Sequence, residues 1–108
     1  MRTLIVSLLF IAGSATGVWA AEEAYRITIE NHIFTPSEIR IPAQKKVKLV
    51  IENKDSSAEE FESYELNREK MVPAKGQAVV FVGPLKPGRY PFFGEFNPKT
   101  AQGAVIAE

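Results

Sequence analysis

Apolar and polar residues alternate along most of this chain, and turn residues separate the alternating stretches. The segment YRITIE, residues 25–30, is typical, because every second side chain in it is apolar. A period of two places successive side chains on opposite faces of a strand, whereas an amphipathic helix repeats every 3.6 residues. The pattern therefore predicts half-buried β-strands.

Five further strands are predicted from the same alternation, at 38–41, 46–52, 78–82, 89–93 and 103–107. The charged stretch 61–72 is predicted to hold a short strand, a helical turn and another short strand. Residues 31–37 contain turn residues and Pro36, and are predicted to be a loop. Seven or eight short strands at this spacing predict an all-β fold, a Greek-key β-sandwich.

The first twenty residues have a different pattern. Arg2 precedes the apolar run LIVSLLFIAG, and small residues lie around Ala20. This arrangement is typical of a secretory signal peptide that is cleaved after Ala20 or Ala21. An uncleaved anchor helix is the alternative, but the apolar run is shorter than the roughly 20 residues that span a bilayer. We therefore predict a signal peptide at 1–20 and a periplasmic domain at 21–108.

Composition argues against several classes of function. Thirteen basic and thirteen acidic residues give a formal net charge of zero, which provides no electrostatic reason to expect a nucleic acid partner or a membrane surface. We predict no membrane insertion after signal cleavage. The chain contains no Cys, so core packing alone must hold a small domain together. Nucleophile motifs, phosphate-binding glycine loops and HExxH zinc motifs are absent from the sequence, so an enzymatic role is not indicated.

The C-terminal stretch from Tyr90 to Ala101 reads Tyr-x-Phe-x-Gly-x-x-Asn-x-x-x-Ala. It resembles the last hairpin of cupredoxins, where this spacing carries Tyr-x-Phe-x-Cys-x-x-His-x-x-x-Met. The segments NHIFTP (31–36), Asn-x-Asp-x-x-x-Glu-x-Phe (53–61) and LKPG (85–88) strengthen the resemblance. Together they are similar to small bacterial periplasmic cupredoxins, especially the EfeO-type group and the stand-alone cupredoxins of Ftr-type ferrous-iron uptake systems.

The resemblance places the four blue-copper ligands of the family at positions that carry other residues here. The first His falls at Glu59, the Cys at Gly94, the second His at Asn97 and the axial Met at Ala101. A blue-copper centre requires one thiolate and two imidazoles. A chain with no Cys and one His cannot build that centre.

Oxygen donors remain near these positions, and they predict a different kind of metal site. Carboxylates with one imidazole suit Fe(III), Mn(II) or Cu(II), so the predicted cofactor is a copper or iron ion. Clustered carboxylates would raise one another's pKa, and a bound cation would relieve the repulsion. The candidate ligands are Glu59, Glu95, Glu60, Glu62, His32 and Asn97.

Simpler interpretations of the same residues stay open. The run from Glu59 to Glu65 is equally consistent with a solvated acidic loop. His32 alone is more typical of a hydrogen-bonding loop residue, and Asn97 is a weaker ligand than His. The aromatic residues of this region are predicted to pack the core around the former ligand positions, namely Phe61, Phe92, Phe93 and Phe96.

Three functional hypotheses follow. In the first, a carboxylate-rich, non-blue metal site assists metal uptake; the resemblance to Ftr-type systems implies iron, with an accessory role in oxidising ferrous iron. In the second, the protein is a metal-free scaffold that binds a partner, such as a periplasmic iron-binding protein or an iron permease. In the third, it is a Cu(II) carrier.

Overall fold

The computed structural model describes residues 24–108, so the predicted signal peptide lies outside the described residues. This part of the chain forms nine β-strands and no helix, and so has no apolar helix of the length that a membrane crossing requires. The strands are β1 Ala24–Glu30, β2 Ile33–Thr35, β3 Glu38–Ile41, β4 Val47–Asn53, β5 Glu59–Ser63, β6 Arg68–Val72, β7 Gln77–Val82, β8 Gly88–Gly94 and β9 Gln102–Ala107.

The strands form two sheets packed face to face. One sheet has five strands in the order β3-β9-β8-β5-β6, and the other has four in the order β2-β1-β4-β7. The pairs β1–β4 and β3–β9 are parallel, and the remaining pairs are antiparallel. The alternating apolar side chains of both sheets meet in one core. The predicted all-β sandwich is confirmed.

One strand was missed by the sequence analysis. The stretch predicted as a loop at 31–37 contains β2, which pairs with β1 through Thr28–Thr35, Ile29–Phe34 and Glu30–Ile33. Only Phe34 of its three residues is buried, so the strand is too short to show a recognisable alternation.

A residue from a distant loop stabilises the turn between β1 and β2. Asn31 and His32 have φ angles of 55° and 59°, in the left-handed region that Asn and His tolerate better than most residues. The Asp55 carboxylate accepts the N–H of Asn31 at 2.8 Å and the N–H of His32 at 3.0 Å. The hydrogen bonds from His32 and Asn31 hold the pKa of Asp55 below its usual value.

Three buried phenylalanines occupy the core beside the former ligand positions. Phe34, Phe61 and Phe92 are each at most 1% exposed. The Phe92 ring centroid lies 5.1 Å from that of Phe34 and 4.9 Å from that of Phe61. The prediction of a core role was right for Phe61 and Phe92. It was wrong for Phe96, which is 52% exposed, because the loop after β8 turns this residue outward. It was also wrong for Phe93, which is only partly buried and packs against Tyr64 outside the core.

Candidate functional site

Glu59 is the first residue of β5 and its side chain points into the sandwich. The strand alternates in burial, with Glu59, Phe61 and Ser63 buried and the two residues between them only partly covered. Glu59 is 2% exposed. A carboxylate removed from water to this degree requires hydrogen-bond partners inside the protein.

Three N–H groups supply those partners. Oε1 of Glu59 accepts the backbone N–H of Glu60 at 2.9 Å and that of Phe96 at 2.8 Å. Oε2 accepts a hydrogen bond from the side-chain Nδ2 of Asn97 at 3.0 Å. Both carboxylate oxygens therefore accept hydrogen bonds, and those from Phe96 and Asn97 connect β5 to the loop between β8 and β9.

The absence of a side chain at Gly94 makes room for the carboxylate. A Cβ at this position would lie 2.5 Å from Oε2 of Glu59 and 2.8 Å from the Cβ of Ala101. The loop is closed by a hydrogen bond from the N–H of Gly94 to the carbonyl of Ala101 at 2.8 Å, and by one from the N–H of Ala101 to the carbonyl of Asn97 at 2.9 Å. The four former ligand positions thus converge; we call Glu59, Gly94, Asn97 and Ala101 the Glu59 site.

The Glu59 site does not fit the copper centre of the fold. It holds one carboxylate, one amide and two residues with no donor side chain, whereas the blue-copper centre requires a thiolate and two imidazoles. The only histidine of the chain is engaged elsewhere, since Nδ1 of His32 lies 3.4 Å from Oδ2 of Asp55.

Glu60 and Glu62 lie on the opposite face of β5, the outer face of the five-stranded sheet. Glu62 pairs in register with Glu69 of β6. Carboxylate oxygens of Glu60, Glu62 and Glu69 all lie within 4.8 Å of one another, and we call these three residues the acidic cluster. Glu69 has no sequence signal that would mark it as a candidate, because only the β5–β6 register brings it to this position.

The six predicted ligands are therefore divided among three places. Glu59 and Asn97 meet in the interior. Glu60 and Glu62 lie outside, where Glu95 is also near enough to act on them electrostatically. His32 lies in the β1–β2 turn. The structure does not gather these six side chains around one point.

The pKa of two members of the acidic cluster is raised by a hydrogen bond, by desolvation and by neighbouring negative charges. For Glu60 the main cause is a side-chain hydrogen bond with Glu69, followed by desolvation and the charges of Glu69, Glu62 and Glu95. For Glu62 the main cause is desolvation, followed by the charges of Glu69 and Glu95. Carboxylates held this close favour the protonated form.

The raised pKa of Glu62, caused by desolvation and then by the charges of Glu69 and Glu95, predicts a pH-dependent effect of Glu62→Gln. A folded pKa above the unfolded value of about 4.3 gives stability that is fully present below the unfolded pKa and is lost as pH rises through the folded pKa. We therefore expect Glu62→Gln to raise Tm at pH 7 and to leave it unchanged at about pH 3, measured by thermal unfolding at both values. Glu30→Gln, on the other sheet, is the control and should leave Tm unchanged. A lower Tm at pH 7 for Glu62→Gln would contradict the raised pKa.

With this geometry established, comparison with known proteins identifies the family. A profile described as a cupredoxin-like domain matches residues 2–107. The chain belongs to the cupredoxin-like domain family. It is 44% identical over 81 residues to an uncharacterised protein of Rickettsia prowazekii (strain Madrid E), a match that covers 75% of this chain. The chain spans 65% of the length of that relative.

Solved structures of the same fold include copper proteins. One is the metal-binding domain of the Cu(I)-exporting P-type ATPase CopA of Streptococcus pneumoniae, solved with Cu(I), at a TM-score of 0.69 and 16% identity, with coverage of 79% of this chain and 84% of that chain. Another is amicyanin from Paracoccus versutus, at a TM-score of 0.62 and 17% identity, with coverage of 80% and 82%. Identities this low show the shared fold alone, and the predicted cupredoxin-like fold is confirmed.

Proposed function

We propose that this protein is a metal-free cupredoxin-like domain that acts by binding a partner protein. The observation that carries the proposal is the buried Glu59 carboxylate, which accepts three hydrogen bonds from the protein itself. A metal ligand must direct a free lone pair at the ion. In the Glu59 site three of the roughly four lone-pair positions of the carboxylate are directed at N–H groups instead, and the carboxylate fills the space beside Gly94.

Copper fits poorly even though the CopA domain of the same fold binds Cu(I). Cu(I) prefers the soft sulfur ligands of Cys and Met. The chain has no Cys and two Met, of which Met71 lies on β6 and is 49% exposed. No second sulfur is available among residues 24–108 to complete a site with it.

The location and the partner are proposed on the basis of the sequence. The predicted signal peptide supports a periplasmic protein, and the resemblance to Ftr-type cupredoxins supports a role beside a periplasmic iron-binding protein or an iron permease. In this proposal the domain contributes a rigid surface to iron uptake, and the metal is carried by the partner.

A second candidate function keeps the metal on this protein but moves it to the surface. The acidic cluster offers three carboxylates within 4.8 Å of one another, and hard cations such as Fe(III) or Mn(II) prefer oxygen ligands. A bound cation would also relieve the charge repulsion that contributes to the raised pKa of Glu60 and Glu62. In that case the protein would carry a metal ion on the outer face of β5 and β6.

Metal titration of the purified protein separates these candidates. We expect Cu(II), Fe(II), Fe(III) and Mn(II) to bind no tighter than about 1 mM, the range of weak association, in isothermal calorimetry. One tight equivalent that Glu59→Gln abolishes would overturn the metal-free proposal. A tight equivalent that is lost in Glu60→Gln/Glu62→Gln and retained in Glu59→Gln would establish the second candidate. The double variant Glu30→Gln/Glu52→Gln, which removes two charges from the other sheet, is the matched control.

A further inference from the structure

The outer face of β8, β5 and β6 combines negative charge with exposed aromatic surface. Glu62 pairs in register with Phe93 of β8 on one side and with Glu69 of β6 on the other. Glu60 lies one step along the same face of β5 and pairs with Met71, which is 49% exposed. Carboxylates and apolar side chains therefore lie side by side on this face.

An exposed tyrosine extends this surface beyond the end of β5. Tyr64 is 74% exposed, and its ring centroid lies 5.6 Å from that of Phe93 with an angle of 59° between the ring planes. The ring of Phe93 thus supports one face of Tyr64 and leaves most of that side chain in water. A supported aromatic ring offers a large contact area at low cost in conformational entropy.

The negative charge of the face is not neutralised within the described residues. The salt bridges found in residues 24–108 join His32, Arg40 and Arg89 to other acidic groups, and none involves the acidic cluster. Arg68 of β6 lines a depression together with Glu62, Tyr64 and Glu69, but its guanidinium donates to backbone carbonyls. Its Nε donates to the Phe81 carbonyl at 2.8 Å and its Nη1 to the Asn67 carbonyl at 2.9 Å. Among the described residues, the acidic cluster therefore has no salt-bridge partner.

We propose that this face, defined by Glu60, Glu62, Glu69, Tyr64 and Phe93 and here called the acidic–aromatic face, docks an arginine-bearing segment of a partner protein. A guanidinium group can bind a carboxylate through two parallel hydrogen bonds and can stack on an aromatic ring. The face offers both kinds of contact side by side. The inference rests on the proposed function, because it names the surface and the partner chemistry through which a metal-free domain would act.

A peptide probe tests the proposal with the purified full chain. We expect a fluorescein-labelled peptide of alternating arginine and glycine to bind at low ionic strength, measured by fluorescence anisotropy, and a glutamate–glycine peptide not to bind. Glu60→Gln/Glu62→Gln should weaken binding at least about tenfold and Tyr64→Ala at least about threefold, since interface energy concentrates in a few residues. Glu30→Gln/Glu52→Gln, which removes the same charge from the other sheet, should change binding less than about twofold.

Two results would overturn the proposal. Equal weakening by the two double variants would show a response to net charge rather than to this face. Concentration-dependent self-association in sedimentation, lost in Glu60→Gln/Glu62→Gln, would make a second copy the occupant, docked through the opposite sheet that carries Arg26 and Lys48.

Metal titration distinguishes this proposal from the metal-free function. A tight metal at Glu59 refutes the metal-free function without affecting peptide binding, and loss of peptide binding leaves the metal-free function standing.

Discussion

The combined variant Glu59→His, Gly94→Cys, Asn97→His and Ala101→Met is expected to bind Cu(II) and to become intensely coloured. These four positions converge in the Glu59 site. The carboxylate of Glu59 lies against Gly94 and accepts a hydrogen bond from Asn97, and the side chain of Ala101 also lies against Gly94. The substitutions supply one thiolate, two imidazoles and a weak axial thioether, the ligand set of blue copper. Visible absorption and copper stoichiometry after Cu(II) addition measure the effect.

The matched control keeps Glu59 and changes the other three positions. A Cβ at position 94 would lie 2.5 Å from the retained Oε2, so we expect this control to be destabilised and to lack the blue absorption. If adding Met at position 101 crowds the loop, the variant that leaves Ala101 unchanged keeps the test valid, because the axial ligand is weak. A folded, colourless protein with all four substitutions would contradict the convergence of these positions.

Glu59→Ala is expected to cause the largest loss of stability of any single substitution in the site. It leaves three N–H groups without their acceptor and opens a cavity beneath the loop. Removing the partner of a buried polar group costs about 1–3 kcal/mol, and the cavity adds to this. We expect a total loss of about 3 kcal/mol or more, which for a domain of this size lowers Tm by at least about 12 °C.

Glu59→Gln removes the charge of the side chain and keeps its volume and most of its hydrogen bonds. The new side-chain oxygen can still accept the N–H groups of Glu60 and Phe96, and the Asn97 amide can rotate to accept from the new amide nitrogen. We therefore expect a loss of about 1 kcal/mol, and partial recovery when Asn97→Asp is added to supply a charged acceptor. Thermal unfolding of the four proteins measures both effects. An equal loss for Glu59→Ala and Glu59→Gln would show that the charge of Glu59, and not its volume or its neutral hydrogen bonds, determines its contribution to stability.

The fold could be predicted from the sequence because burial in a sandwich imposes a period of two on every long strand. The exception was β2, whose three residues show no pattern and whose turn depends on Asp55, more than twenty positions away along the chain. A turn that is stabilised by a residue so far away along the chain leaves no local signal in the sequence. The charged edge strand β6 was placed correctly in outline, as the second short strand of the stretch 61–72.

The candidate site was predicted in position but not in arrangement. The spacing of Glu59, Gly94, Asn97 and Ala101 identified the four residues that converge. Alternation along β5 separates Glu59 from Glu60 and Glu62, but the sequence analysis did not extend that strand back to Glu59. The engagement of Glu59 by Phe96 and Asn97 depends on the conformation of a loop, and loop conformation has no periodic signal.

A hydrogen-bonded carboxylate at this position also bears on how the protein matures. In a metalloprotein whose loop is fixed by an ion, folding and metal loading are coupled, and the level of folded protein follows metal supply. Here the corresponding loop is fixed by hydrogen bonds from its own N–H groups, at Phe96 and Asn97, to the carboxylate of Glu59. We expect the domain to reach its final conformation without a loading step or a dedicated metal donor. Its abundance would then be the same in metal-starved and metal-replete cells.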